Sequence, residues 1–163
     1  RCPARRSARS HALRRHAERP HGLRCSKQQG RESFTRIPNG APGIETRLPL
    51  MFDAAVLQRG LSINRFVAVT ATNPARLFGL FPRKGTIAIG SDADLVLFDP
   101  IERWTIRAAE HHSRADYSLY EGREISGRVR KVFARGRCIV DGARWLGSVG
   151  AGRFLRRAES AHS

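Results

Sequence analysis

Side chains able to do chemistry are sparse and poorly grouped in this 163-residue chain. His11, His16 and His21 are five apart, whereas histidines that share a metal on one helix face prefer spacings of three or four. His111 and His112 are adjacent, so they diverge on a strand or a helix and read as surface or supporting residues. Cys2, Cys25 and Cys138 include no C-x-x-C pair. That argues against a disulfide scaffold or zinc ribbon and fits a reducing cytosol. One stretch could act through its backbone instead. Pro38-Asn39-Gly40 followed by Ala41-Pro42-Gly43 makes a constrained loop, whose N–H and C=O groups are kept out of regular structure. By composition alone it is a plain connector.

The elements around this loop are legible in part. Residues 44–58 carry Leu48, Phe52, Val56 and Leu57 at helical spacing, and Gly60 ends that helix. Ser62 is a good N-cap for a second helix bearing Ile63, Phe66, Val67 and Val69. Asn73-Pro74 is expected to restart a short helix, with Leu77 and Phe78 facing inward and Gly79 just past its end. In residues 84–98, Ile87 and Ile89 alternate as in a half-buried strand, Gly90-Ser91-Asp92 signals a turn, and Leu95–Phe98 reads as a strand buried on both faces. Asp99-Pro100 is expected to stop it. Trp104 and Ile106 suggest an edge strand, and residues 116–122 a loop. Residues 129–140 read as a hairpin turning at Arg135-Gly136-Arg137, and Asp141-Gly142 turns into Trp145.

The formal charge of +16 is uneven: residues 1–36 hold 11 Lys/Arg against 2 Asp/Glu. Such a balance can mark a nucleic-acid partner. The basic segment has no aromatic interleaving and no nucleic-acid motif, so a basic tail on an ordinary domain is the preferred reading. No apolar run approaches the roughly 20 residues of a membrane span. The length allows one domain but not a complete (β/α)8 hydrolase of about 250 residues.

Four blocks then agree in order: FTRIPNGAPGIETRLPLMF (34–52), TNPARLFGLFPRKGTIAIGSDADLVLFDP (72–100), DYSLYEGREISG (116–127) and GRFLRR (152–157). Together they resemble the C-terminal part of the dihydropyrimidinase/D-hydantoinase family, cyclic-amide hydrolases of the amidohydrolase superfamily. The resemblance implies an α/β fold: the C-terminal end of a (β/α)8 barrel, seen as helices, plus part of a small β-sandwich. Residues 1–25, dominated by Arg, Ala, His and Pro, read by composition as a disordered basic N-terminus ahead of it. The expected divisions are a disordered, possible shifted-frame segment at 1–26, the last barrel loop and helices at 27–83, sandwich strands at 84–146 and a tail at 147–163. The shifted-frame idea rests on Glu18–Leu23, which can be encoded so that the next frame reads Ser-Asp-His-Thr-Ala-Phe, like a family metal-binding segment.

The chemistry implied is ring-opening hydrolysis of dihydropyrimidines or hydantoins at a dinuclear zinc centre. This chain has no H-x-H, and upstream of Pro-Asn-Gly it reads Ala17-Glu18-Arg19-Pro20-His21, without the expected Asp-His pair. No catalytic residue and no metal ligand carries over, and no zinc is expected on this chain alone. Asn39 does match, as the family residue whose backbone contacts the substrate ring; Gly40 would permit the close approach. The implied partners are a cyclic amide substrate in the intact enzyme and further copies of the chain, associating through the tail at Arg153 and Phe154. Neither nucleic acid nor membrane is implied, and the expected location is cytoplasmic. Inactive hydrolase piece and non-catalytic interaction module are the two readings. Marginal stability is expected, with Phe52, Phe66, Val67 and Phe78 partly exposed for want of the rest of the barrel.

Overall fold

The computed structural model describes residues 30–37, 40–113 and 115–157. Helices lead and an antiparallel sheet comes after them. Helix α1 (Arg47–Met51) runs on directly as a π-helical segment, Phe52–Leu57. Gly60 closes it with φ of 69°, a left-handed conformation that glycine adopts without penalty. Ser62 caps α2 (Ile63–Val67): its hydroxyl accepts the Arg65 N–H at 3.3 Å.

The short helix expected at Asn73 forms, but without a break before it, and Asn73 is not its N-cap. A π-helical segment, Ala68–Thr72, joins α2 to α3 (Asn73–Leu77), and both Thr72 and Asn73 already have helical dihedrals. Pro74 has no N–H for an unbroken α ladder, and the wider π turns immediately before it take up the mismatch. Gly79 stands past the helix end as expected, with φ of 64°.

Strands β1 (Leu95–Thr105), β2 (Glu124–Ala134), β3 (Arg137–Asp141) and β4 (Arg144–Trp145) form one sheet in that order, each pair antiparallel. The expected hairpin is β2–β3, turning on Arg135 (φ 47°) and Gly136 (φ 76°), the left-handed pair that matches strand twist. β1 is an edge strand, and Trp104 lies in it opposite Ile125.

Three expectations for the strands fail. Pro100 does not stop the strand at Phe98. The register shifts between Asp99 and Arg103, and the Asp99 carboxylate accepts the N–H groups of Ile101 (3.0 Å) and Glu102 (3.2 Å). A bulge on an edge strand can hold a proline because its missing N–H faces no neighbour. Nor is the 95–98 run buried on both faces, since Val96 and Leu97 are about half exposed.

The strand expected at Ile87 and Ile89 does not form. Both side chains are exposed, and no strand among the described residues pairs with that backbone. An extended segment without a neighbour leaves its N–H and C=O groups to water. Its turn survives, with Gly90 at φ 89° and the Ser91 N–H bonded to the Ala88 carbonyl.

On the helices, Leu77 and Phe78 do not face inward. With Val69, Asn73, Pro74 and Arg76 they line an open, largely apolar groove. Phe52 and Phe66, by contrast, are buried at 3% and 5% exposure, with Phe98 of β1 and Phe66 both packed against Phe52. Phe52 packs edge-on against Phe66 (5.7 Å between centroids) and Phe98 (4.8 Å), a favoured aromatic geometry. Ala75, Ile106 and Ile125 complete the core among the described residues. Gly127 is required beneath these rings: its φ is 100°, and a Cβ there would lie 2.7 Å from Phe52 Cδ1.

Among the described residues no helix is long and apolar enough to cross a membrane. The tail from Gly147 to Arg157 has no regular structure; Ala151 accepts a bond from the Arg135 guanidinium, while Phe154 stays exposed.

Candidate functional site

Asn39 lies outside the described residues, so the candidate site is built from Gly40 onward. Gly40 has φ of 93° and open space where a Cβ would be, which lets the loop turn there. Thr46 closes the loop from within: it is buried, and its hydroxyl donates to the Gly43 carbonyl. Glu45 reaches across the chain to His112. Its two oxygens stand 2.8 Å from the His112 backbone N–H and from the ring Nδ1. The ring Nε2 lies 3.2 Å from the Ala143 carbonyl, between β3 and β4. The bond from Glu45, working against burial, raises the imidazole pKa above its ordinary value. His111 turns elsewhere, with its Nε2 buried, as adjacent residues must.

A second polar cluster explains the charged half of the Lys-Gly…Asp-Ala-Asp block. Lys84 pairs with Asp92 at 2.9 Å and with Asp94, and Arg83 joins Asp92 at 3.1 Å. Burial opposes the Lys84 charge, but bonds from both carboxylates outweigh it and raise the pKa. The Lys84 bond holds Asp92 below the usual carboxylate range. Burial works against ionised Asp94 too, yet Lys84 and the Arg135 N–H keep its pKa low. That N–H, 2.7 Å from Asp94 Oδ1, belongs to the β2–β3 turn. Gly85 brings the block onto the helices: its carbonyl accepts the Thr72 hydroxyl at 2.7 Å, and a Cβ would lie 2.5 Å from that of Ala75. The motif therefore fastens helices, connecting segment and hairpin turn together.

Asp53 is a third anchor, which sequence reading missed. It is a buried carboxylate on the π-helical segment, accepting the Ser126 N–H of β2 at 3.0 Å and the Gln58 amide at 2.6 Å. Its one sequence signal is position: an acid set between Phe52 and Ala54-Ala55 on an apolar face. On β1, Glu102 pairs with Arg128 (3.0 Å) and Arg130 (2.7 Å), and Arg128 stacks on Trp104.

These carboxylates hold elements together, and none faces a nucleophile as a general base would. Among the described residues no three His, Cys, Asp or Glu side chains converge where a metal ion could sit. They do not fit the dinuclear zinc centre that the resemblance implies, so no chemical step is derived through it.

The chain is 44% identical over 133 residues to the D-hydantoinase of Geobacillus stearothermophilus, covering 82% of this chain and 28% of that one. It is 40% identical to the dihydropyrimidinase of Rattus norvegicus, covering 82% of this chain and 26% of the other. The crystal structure of dihydropyrimidinase from Brevibacillus agri NCHU1002 superposes with a TM-score of 0.79 at 44% identity, over 84% of this chain and 30% of that one. The chain thus spans less than a third of the length of these relatives. The Amidohydrolase family model matches residues 39–139, well over half of the sequence, and the chain belongs to that family.

Proposed function

We propose that this chain is the C-terminal part of a cyclic-amide hydrolase that opens hydantoin or dihydropyrimidine rings, and that it has no turnover alone. The observation that carries this is 40–46% identity to D-hydantoinases and a dihydropyrimidinase over some four-fifths of the chain. In this reading residues 27–83 are the last barrel loop and helices, 84–146 are sandwich strands and 147–163 are a tail. Asn39 would meet the substrate ring through its backbone, and the residues that follow it in sequence are held by Thr46 and the Glu45–His112 pair. The catalytic metal would be held by residues elsewhere in the intact enzyme. The cytoplasm is the compartment that the cysteine usage suits.

A chimera tests the reading. Residues 40–157 replace the corresponding segment of the Geobacillus stearothermophilus D-hydantoinase, and ring opening of a 5-substituted hydantoin is measured. Retained turnover is the expected result. A chimera that folds and loads zinc but does not turn over would count against it.

Exposed Phe154 and the exposed Ile87 and Ile89 favour a second reading, a non-catalytic module that associates through its tail and its unpaired segment. Sedimentation of the chain with and without residues 147–163 separates the two. A monomer in both cases removes the module.

A further inference from the structure

The His112 ring is held between two acceptors. Nδ1 faces a Glu45 carboxylate oxygen at 2.8 Å, and Nε2 faces the Ala143 carbonyl at 3.2 Å. Neither acceptor has a proton to give at neutral pH. A neutral imidazole carries one N–H and can serve only one of them; the imidazolium, with two, serves both. The three segments it joins are distant in sequence: Glu45 and His112 are 67 positions apart, and Ala143 a further 31.

We infer that Glu45 and His112 form a pH-sensitive latch, in which the protonated imidazole fastens the loop at 40–46 to the turn between β3 and β4. Loss of the proton removes the charge pairing with Glu45 and leaves one acceptor without a donor. The single N–H that remains serves either Glu45 or Ala143, so the ring no longer bridges the two, while the backbone N–H bond to Glu45 is unaffected. The neighbouring charges do not substitute for it. From the β3–β4 side, Asp141 is committed to Lys131 (3.0 Å) and Arg144 (3.7 Å). From the helix side, Glu45 is the carboxylate that acts on the ring. Glu45 stands six positions after Asn39 in the sequence, so the latch governs how firmly the chain from Gly40 to Thr46 is held. That consequence holds whether or not the loop meets a substrate.

The sign is fixed by the direction of the shift. A histidine whose pKa rises on folding contributes stability that is complete below its unfolded value, near 6.5, and is lost as pH rises through the folded value. The test is an NMR titration of the complete chain, labelled at histidine and at backbone nitrogen. His112 is expected to titrate above 6.5. Amide-exchange protection of the His112 N–H, corrected for intrinsic exchange, should fall through the same range by up to about tenfold per pH unit. In Glu45→Gln the titration should return toward the ordinary value, and in His112→Gln the protection should lose its pH dependence. A wild-type His112 that titrates at or below 6.5, with protection flat across the range, would overturn the latch. Both wild-type readouts stand if a variant fails to fold, and neither involves ring opening.

Discussion

Two regions of this chain answer the same sequence block in opposite ways. At the joint between helices and sheet, the charged residues of residues 84–94 find all their partners within the chain. Lys84, Asp92 and Asp94 pair with one another, Asp94 caps the β2–β3 turn, and Gly85 lies against Ala75. A few residues away, Ile87 and Ile89 of the same block stand fully exposed. The helices repeat the contrast: Phe52 and Phe66 are buried against each other, with Phe98 on Phe52, while Leu77 and Phe78 line an open groove. The polar part of the motif is a local fastening that needs nothing more. Its apolar part alternates as a strand would but forms none, because a strand requires a neighbouring strand to hold its backbone and cover its side chains.

This contrast can be broken at graded cost. Phe52→Ala removes the ring that joins the helices to the sheet and should destabilise by about 3–5 kcal/mol, read by urea unfolding. A loss below about 1 kcal/mol would mean that the helices do not pack on the sheet. Asp53→Ala leaves the Ser126 N–H without its acceptor and should cost about 1–3 kcal/mol. Ser62→Ala removes the α2 cap and should cost about 1 kcal/mol. Ile87→Lys with Ile89→Lys should change unfolding stability by no more than about 0.5 kcal/mol, since neither side chain is buried, while lowering self-association in sedimentation.

Acid sharpens the same comparison. Asp92 and Asp94 have pKa values lowered on folding from 3.8. Their contribution is complete above that value and is lost as pH falls below it. Asp94→Asn should flatten the acid limb of the stability profile, and Ile87→Lys should leave it unmoved.

Local signals were legible in the sequence. Gly60, Ser62 and Gly79 mark helix ends through dihedral freedom and side-chain capping, which need only near neighbours. The β2–β3 hairpin was legible for the same reason, from apolar runs flanking Arg135-Gly136. What could not be read depended on distant residues. Pro100 has the look of a strand terminator, but Asp99 folds a bulge around it on an unpaired edge. Ile87 and Ile89 have a strand's alternation, but alternation cannot supply a neighbouring strand. Asp53 and Ser126 are 73 positions apart, and no spacing rule links them. At the candidate site, Asn39 was singled out only through the family resemblance and lies outside the described residues, and the Glu45–His112 pair, 67 positions apart, was not legible at all.

On the function proposed above, this chain supplies scaffold, and the reacting groups come from the rest of the intact enzyme. The direct measurement is ring opening of dihydrouracil by the purified chain after incubation with zinc, together with its bound zinc content. No turnover and no more than trace zinc is the predicted result. Turnover that rises with chain concentration and is lost on chelation would contradict it.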